Sequence, residues 1–163
     1  MSATVRDYVE NYFATHHVAM IATVGAIGEP WICSVYYTYA RGRLLFVSRS
    51  DTLHSSHIGT GCNIAFAVTD TAQMPPASAH GLQGRGFARP ALIREYPLFV
   101  RYYARMFPKY AGNMTSPRAL RASLSLAAET RPYVVVPNMI KLTDKRFCEA
   151  PTILELLSND TGA

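Results

Sequence analysis

Apolar residues near the beginning of the chain recur with the three- and four-residue spacing of a helical face. Residues 4–15 therefore predict an amphipathic α-helix. Thr4 and Asp7 stand at the spacing of a capping box, with Asp7 in the acidic place, which supports a helix start at Thr4. His16 and His17 close the helix, where polar or cationic groups suit the C-terminal end. The apolar residues of this face are Val5, Tyr8, Val9, Tyr12 and Phe13.

The pattern then changes to short runs rich in β-branched and aromatic residues, divided by turn-forming sequences. Runs of this kind are typical of antiparallel strands. One run contains Gly81, Gly84 and Gly86, and glycines inside a strand indicate a bulge, a barrel corner or a close approach of another backbone. The first five strands are expected at residues 18–24, 31–39, 44–48, 63–69 and 80–89.

After the fifth run, the pattern is helical for about forty residues. One helix is expected at 92–107, with a kink or a restart at Pro97. A second is expected at 116–129, where Pro117 suits the first helical position. Together they would form a helical insert at about 91–130 within a single domain.

Apolar runs return near the end of the chain. The last strands are expected at 133–136 and 139–143, or as one strand interrupted at Pro137. The apolar positions of 153–157 need a surface on which to dock. Many short antiparallel strands with few helices predict a mainly β fold, a small closed or split β-barrel of about six strands with peripheral helices.

Length and composition are those of one globular domain. The chain has 163 residues, of which 49% are hydrophobic, which is enough for a core. No apolar run is long enough to span a membrane, and the first residues lack the basic and apolar regions of a signal peptide. Cys33, Cys62 and Cys148 lie far apart without a CxxC pair, which argues against disulfides and a cysteine-based metal site. We expect a cytoplasmic protein without a metal centre.

The formal net charge of +5 is unevenly distributed. Residues 85–131 contain nine basic residues and only two acidic ones, Glu95 and Glu129. This excess is compatible with an anionic ligand, with nucleic acid or with a solvated pair of helices. No recognition-helix, zinc-finger or RNA-binding motif accompanies it, so a nucleic-acid partner is not expected.

A polar stretch at residues 48–57, here called the elbow, predicts a strand end, a turn and a short helix. It carries several hydroxyls together with Arg49, His54 and His57. Hydroxyl donors, a helix N-terminus and a cation that converge on one point form a phosphate pocket. A polar loop with an ordinary helix cap is the alternative, because Ser and Thr are common at helix starts.

The motifs of the first ninety residues follow one another in a definite order. After the helix come the run 18–24, Gly28-x-Pro30, Val35-Tyr36-Tyr37, the run 42–48, Thr52-x-His54, Ile58 with Asn63-Ile64-Ala65, and the run 82–86. In this order and spacing the chain resembles the FMN-binding split barrels related to pyridoxamine-phosphate oxidase. The insert at 92–129 and the ending at 140–144 resemble a small, poorly characterised branch of that superfamily.

The resemblance implies a homodimer with FMN in two clefts across the interface. It places hydroxyls of the elbow toward the phosphate and ribityl chain, and it places His54 where many members have a phosphate-binding Lys. The resemblance implies that the strand with residues 34–36 lines the flavin ring and that the strand with Gln83 approaches the cofactor. The cofactor-binding residues expected on this basis are Ser34, Val35, Tyr36, Ser48, Arg49, Thr52, His54 and Gln83.

The chain departs from the oxidase pattern where that pattern supplies cations to FMN. Cys33 stands in the place of one Arg, while Leu53 and His54 stand in the places of an Arg and a Lys. A phosphate monoester carries close to two negative charges, and Arg contacts to it are strong. FMN would therefore bind more weakly, or another ligand would occupy the cleft, unless Arg49 or a basic residue of the insert turns in. The vitamin B6 substrate site of the oxidase is not visible.

Three functions follow as hypotheses. The first is an FMN-dependent oxidoreductase acting on an unknown small molecule, in which FMN carries the redox chemistry. No side chain stands out as a general acid or base, so catalytic residues stay unassigned. The second is a module that holds flavin or haem without turnover, and the third is nucleic-acid binding through the insert. The candidate haem ligands are His16, His17, His54, His57 and His80.

Overall fold

The computed structural model describes residues 4–74, 79–109 and 129–156. Within them, α1 (Val5–Thr15), β1 (Val18–Val24), β2 (Pro30–Ala40), β3 (Arg43–Arg49), α2 (Leu53–Ile58), β4 (Cys62–Thr69), β5 (His80–Pro90), β6 (Thr130–Asp144) and β7 (Thr152–Glu155) follow in this order. Helical turns between β5 and β6 cover Ile93–Glu95, Tyr96–Leu98, Phe99–Tyr103 and Ala104–Met106. We call these turns, residues 93–106, the insert helix. No helix in the described ranges is long and apolar enough to cross a membrane.

The first helix begins as its sequence predicts. The Asp7 N–H donates to Thr4 Oγ1 at 3.1 Å, and the Thr4 N–H donates to Asp7 Oδ2 at 3.0 Å. These reciprocal bonds satisfy N–H groups that a helix start leaves without partners. The His16 N–H bonds back to the Tyr12 carbonyl and ends the helix. The buried residues of α1 are Val9, Tyr12 and Phe13.

Six antiparallel strands close into a barrel in the order β1–β2–β3–β6–β5–β4 and back to β1. The seventh strand pairs outside this ring with the second half of β6. The predicted fold class, mainly β with about six antiparallel strands, is confirmed. Each of the first five strands lies within one residue of its predicted ends. The tail docks through β7, Thr152–Glu155, which pairs with β6 as an antiparallel strand.

The strand β6 runs through Pro137 without interruption. Its register against β5 shifts between Arg85 and Gly86, and Pro137 lies opposite Gly86 at this irregularity. A bulge leaves a ladder position unpaired and so tolerates a residue that has no N–H. A Cβ atom on Gly86 would lie 2.4 Å from the Val136 carbonyl oxygen. The predicted close approach of another backbone to the glycine-rich strand is therefore confirmed.

The barrel interior is filled by alternate residues of each strand, because neighbouring side chains of a strand point to opposite faces. Phe13 of α1 enters this core, and the Tyr37 hydroxyl donates to the Phe13 carbonyl at 3.0 Å. This buried hydroxyl therefore has the partner that burial requires. Other core residues are Ile21, Val35, Phe46, Ile64, Val68, Leu82 and Leu142.

A second apolar cluster lies outside the barrel, where the insert helix covers β3 and β6. Phe99 and Tyr103 of the insert pack against Leu45 and Val134. The insert is helical where 92–107 was predicted, but its turns change from 3₁₀ to α to π and back to α. The predicted second helix at 116–129 falls almost wholly on residues 110–128, outside the described residues.

The two helices outside the insert cover opposite ends of the barrel. Tyr8 of α1 hydrogen-bonds Asp144 at the end of β6, and the Tyr12 hydroxyl accepts from the Asp70 N–H just after β4. At the other end, His57 of α2 contacts Thr23 near the end of β1. The elbow therefore closes the barrel end that α1 leaves open.

Candidate functional site

The elbow forms where β3 leaves the barrel and the chain turns into α2. Leu44 and Phe46 point into the core, so alternation directs Ser48 toward the same interior side. Ile58 at the other end of α2 is also buried in the core and fixes the helix across the barrel end. Ser48, the turn and the first turn of α2 thereby meet at one place.

Three polar side chains converge in the elbow. The His54 Nε2 atom lies 2.7 Å from Ser48 Oγ and 3.2 Å from Thr52 Oγ1, and the two hydroxyls are 3.5 Å apart. The Ser55 hydroxyl donates to the Arg49 carbonyl at 2.7 Å and lies 2.8 Å from Thr52 Oγ1. A strand end, a turn and a helix start thus hold an imidazole against two hydroxyls, one of which also contacts the Ser55 hydroxyl.

The alternative of an ordinary helix cap does not describe Thr52. It occupies the N-cap position of α2, but its side chain makes no capping hydrogen bond to the helix backbone. Its hydroxyl instead lies 3.0 Å from the Arg49 carbonyl and close to Ser55 and His54. The hydroxyl is therefore held in the hydrogen-bonded cluster around the imidazole rather than on the helix backbone.

His54 is buried, with 7% of the residue exposed. Burial lowers the pKa of His54 below its ordinary value of 6.5, and the nearby His57 lowers it further. The imidazole is therefore neutral at pH 7. The elbow position at which the resemblance expects a cation is therefore occupied by the uncharged ring of His54.

The Arg49 side chain pairs with Asp51 rather than with the hydroxyls of the elbow. Its guanidinium pairs with Asp51 through Nε at 3.0 Å and a terminal nitrogen at 2.6 Å, and both side chains are exposed. A bidentate pair of this kind occupies two donors of the fork and compensates its charge. The predicted residue Arg49 thus belongs to the elbow, but its guanidinium pairs with Asp51 at the surface instead of with the hydroxyl cluster.

His57 holds α2 against the hairpin between β1 and β2. Its side chain is only 5% exposed, and its Nδ1 atom lies 3.0 Å from the hydroxyl of Thr23. Its Nε2 atom has no hydrogen-bond partner among the described residues and lies 3.7 Å from Glu29 Oε1. Sequence reasoning missed Thr23 and Glu29, because both lie about thirty residues before His57 and carry no motif.

The remaining predicted residues lie on strands rather than in the elbow. Ser34, Tyr36 and Gln83 project from the outer surface of the barrel, whereas Val35 points into the core. A ligand outside the barrel could reach Val35 only through its backbone. One row of paired residues crosses four strands in the order Gln83, Ala67, Met20 and Ser34.

We call this outer surface of β1, β2, β4 and β5 the open face. A second row on it contains Ile32, Ala22, Ala65 and Arg85. Ile32 is 62% exposed, and Tyr36 and Phe87 are about half exposed. Small residues lie at the centre of this face, and large apolar side chains as well as polar ones, Arg85 among them, surround them. Alternation along β2 and β5 could have revealed Ile32 and Phe87 as outward residues.

The cysteines do not form a reactive site. Burial raises the pKa of the Cys33 thiol to about 11 and raises that of Cys62 as well. A nucleophilic cysteine needs the thiolate, which these surroundings disfavour. No cluster of three or more potential metal ligands occurs among the described residues.

A cleft of about 250 Å³ lies at the opposite barrel end, beside α1. Hydrogen bonds from Arg146 are the main cause that lowers the pKa of Asp144, and Tyr8 also donates to this buried carboxylate. The cationic and anionic groups here already pair with each other. The lining residues are Tyr8, Asn11, Tyr12, Thr15, His16, Asp70, His80 and Arg146.

Several solved structures share this fold at low sequence identity. A haem-binding protein from Mycobacterium smegmatis has a TM-score of 0.75 and 12% identity, over 95% of this chain and 59% of that one. An FAD-binding protein from Mesorhizobium loti has a TM-score of 0.62 and 12% identity, over 85% of this chain and 92% of that one.

A putative pyridoxamine 5'-phosphate oxidase from Listeria innocua has a TM-score of 0.58 and 11% identity, over 85% of this chain and 98% of that one. The chain spans about three fifths of the length of the Mycobacterium protein. No protein-family model and no curated protein matches the sequence. The chain has the split-barrel fold of these proteins, as the sequence resemblance predicts.

Proposed function

We propose that this split barrel binds a flavin, FMN, with its phosphate at the elbow and its ring along the open face. The observation that carries the proposal is the convergence of Ser48, Thr52 and His54 at one strand-to-helix turn. Hydroxyls and an imidazole are donors that suit phosphate oxygens. Related folds whose descriptions include FAD binding and pyridoxamine-phosphate oxidation support a flavin as the ligand.

The residues present fit the parts of FMN. The elbow offers neutral donors to the phosphate, and Tyr36 and Ile32 offer apolar surface to the flavin ring. Aromatic and aliphatic walls with a few placed polar groups are the usual lining of a cofactor site. Gln83, three strands away from Ser34 on the open face, would offer an amide to a polar edge.

The open face supports a dimer as the second part of this proposal. Ala22, Ala65 and Ala67 form a flat strip, and Ile32 and Phe87 beside it are exposed. Large exposed apolar patches mark interaction surfaces. A second copy of the chain on this face would bury the patch, and the two elbows would then border two equivalent clefts.

The redox part of the proposal belongs to the cofactor. Bound FMN would supply hydride or electron transfer, while the chain binds it, orients it and excludes water. Burial raises the pKa of the Cys33 thiol, which therefore stays protonated at pH 7, and we assign no catalytic residue. The proposed activity is that of an oxidoreductase for a small molecule.

Haem is the second candidate, favoured by the Mycobacterium protein and by one imidazole. Burial, and then the charge of His16, lower the pKa of His17, so its ring is neutral. His17 Nδ1 is buried without a hydrogen-bond partner in the described ranges, and the Phe107 ring packs near both this ring and that of Tyr36. A neutral imidazole with an uncommitted nitrogen suits iron.

A spectroscopic titration decides between these ligands. We expect the protein to quench FMN fluorescence in a saturable manner. With added haemin, we expect no shift of the Soret band of the kind that a histidine ligand causes. A saturable Soret band that His17→Ala abolishes, together with FMN fluorescence that stays unchanged, would replace flavin by haem. The matched control His16→Ala removes the neighbouring imidazole without removing His17.

A further inference from the structure

The elbow poses an electrostatic problem for any phosphate ligand. A phosphate monoester carries between one and a half and two negative charges at about pH 7. The imidazole of the elbow is neutral there, because burial and His57 lower the pKa of His54. A dianion against neutral donors alone is a weak complex, since charge-assisted hydrogen bonds are roughly twice as strong as neutral ones.

The strands β3 and β5 carry four Arg residues, and three of these are paired with carboxylates. Arg49 pairs with Asp51, and Arg89 and Arg43 of the neighbouring strands both pair with Glu95. Arg85 points outward on the open face. The strands β1 and β2, which pack against α2, contain no charged residue.

Three further charged residues lie near the elbow. The Glu129 carbonyl accepts from the Ser50 N–H at 2.8 Å, and the charge of Glu129 acts on Arg49. Arg131 of β6 is the cross-strand neighbour of Ser48, and its charge acts on Tyr96, whose pKa burial raises and Arg131 partly lowers. Glu29 of the hairpin faces His57 at 3.7 Å rather than His54. Of the other titratable side chains, His57 acts on His54, and Cys33, Cys62 and Tyr133 belong to or pack against the barrel core that also contains Ile58 of α2.

We propose that His54 is the cation of the elbow, and that it becomes one by taking up a proton when a phosphate-bearing ligand binds. This inference rests on the proposed function and concerns how the same site binds its ligand. The proton on His54 Nε2 would point at Ser48 Oγ, which lies 2.7 Å away. The charged ring would thus act on the phosphate through the Ser48 hydroxyl, which lies between the two.

Protonation also changes what the hydroxyls offer. In the neutral tautomer that carries its proton on Nδ1, the Nε2 atom accepts and Ser48 donates its single hydrogen to the ring. Once Nε2 carries a proton, the ring donates to Ser48 Oγ, and the Ser48 hydrogen turns toward a ligand oxygen. The His54 ring therefore becomes charged in the same step in which the Ser48 hydroxyl becomes a donor to the ligand. A ligand without a phosphate induces neither change.

The linkage has a definite sign. A bound dianion raises the pKa of His54 from its lowered value in the free protein, so binding takes up a proton between the two values. In that range the affinity falls as the pH rises, by up to about tenfold per pH unit for one proton. Riboflavin carries the same ring without the phosphate, so its affinity stays constant.

The test measures dissociation constants of FMN and riboflavin by fluorescence quenching from pH 7 to pH 8.5. Isothermal titration calorimetry in Tris and in HEPES at one pH counts the protons taken up. We expect FMN affinity to fall with rising pH, riboflavin affinity to stay level and the FMN enthalpy to depend on the buffer. The wild-type measurements need no variant and therefore do not depend on a mutant that folds.

Three variants test whether His54 is the group that takes up the proton when FMN binds. His54→Gln should remove the pH slope, and His54→Lys should bind FMN with a level and higher affinity at pH 8. The control His57→Gln removes a neighbouring imidazole that adds to the lowering of the His54 pKa, so the slope should persist over a range shifted to higher pH. A level FMN profile in the wild type, or a slope that persists in His54→Gln, overturns the inference while flavin binding stands. If neither flavin binds, the proposed function itself fails.

Discussion

At the scale of single residues, Glu95 is the clearest example of one side chain that holds two parts of the chain together. It is 3% exposed and accepts from Arg89 at 2.7 Å, from Arg43 at 2.9 Å and from the Leu92 N–H at 2.7 Å. Burial by itself would raise the pKa of Glu95, but the Arg89 bonds, the Leu92 bond and both Arg charges lower it overall.

We predict that Glu95→Gln destabilises the protein by about 3 kcal/mol, because it leaves two half-buried guanidinium groups without their carboxylate. Urea denaturation at pH 7 measures the free energy of unfolding. Asp51→Asn removes the carboxylate of an exposed Arg pair and should cause no measurable change. Equal effects of the two substitutions would show that the buried pair does not anchor the insert.

The lowered pKa of Glu95 also gives a pH dependence with a known sign. Its folded pKa lies below its unfolded value, so the stabilisation is complete above the unfolded pKa near 4.5 and is lost as the pH falls further. Unfolding free energies between pH 6 and pH 3 should fall less steeply in Glu95→Gln than in the wild type. Parallel profiles would contradict this account of Glu95.

At the scale of elements, the glycines of β5 set how closely β6 can pair with it. A Cβ on Gly86 would meet the Val136 carbonyl oxygen at 2.4 Å, and backbone cannot move away as a flexible side chain can. We predict that Gly86→Ala lowers the free energy of unfolding by about 2 kcal/mol, within the usual range for such steric changes. Chemical denaturation measures this loss.

The same strand offers the control for that substitution. Gln83→Ala changes an exposed side chain of β5, and its effect should stay within about 0.5 kcal/mol. If Gly86→Ala is as stable as Gln83→Ala, the backbones at the bulge do not need to approach so closely.

Strands were predictable from sequence because their signal is local. Alternation and turn residues located β1 to β5 to within one residue, and the capping box located the start of α1. The joining of β6 into one strand was left open, because Pro137 argues for a break unless a bulge lies opposite it. The bulge is a property of the pair and not of either strand alone.

The candidate site was predictable only in part for the same reason. The hydroxyls and His54 of the elbow lie within seven residues, so the sequence showed them together. The inward direction of Val35, the pairing of Arg49 with Asp51 and the contact of His57 with Thr23 depend on tertiary packing. Spacing along one segment carries no information on those contacts.

At the scale of the whole molecule, the proposed dimer makes the open face an interface. We predict that Ile32→Arg shifts the protein toward the monomer in sedimentation experiments and weakens FMN binding, because it places a charge on an apolar surface. Ile153→Arg is the matched control, since Ile153 is equally exposed but lies on β7. A monomeric wild type that binds FMN tightly would contradict a cleft shared by two chains.

The most direct test of the whole account is the FMN titration of the wild type against Thr52→Ala combined with His54→Ala. The elbow account predicts saturable quenching in the wild type and at least about tenfold weaker binding in the double variant, equivalent to a charge-assisted hydrogen bond. Riboflavin should bind both proteins alike, which would show that the barrel remains folded. Equal FMN affinity in the two proteins would place the phosphate elsewhere and contradict the account.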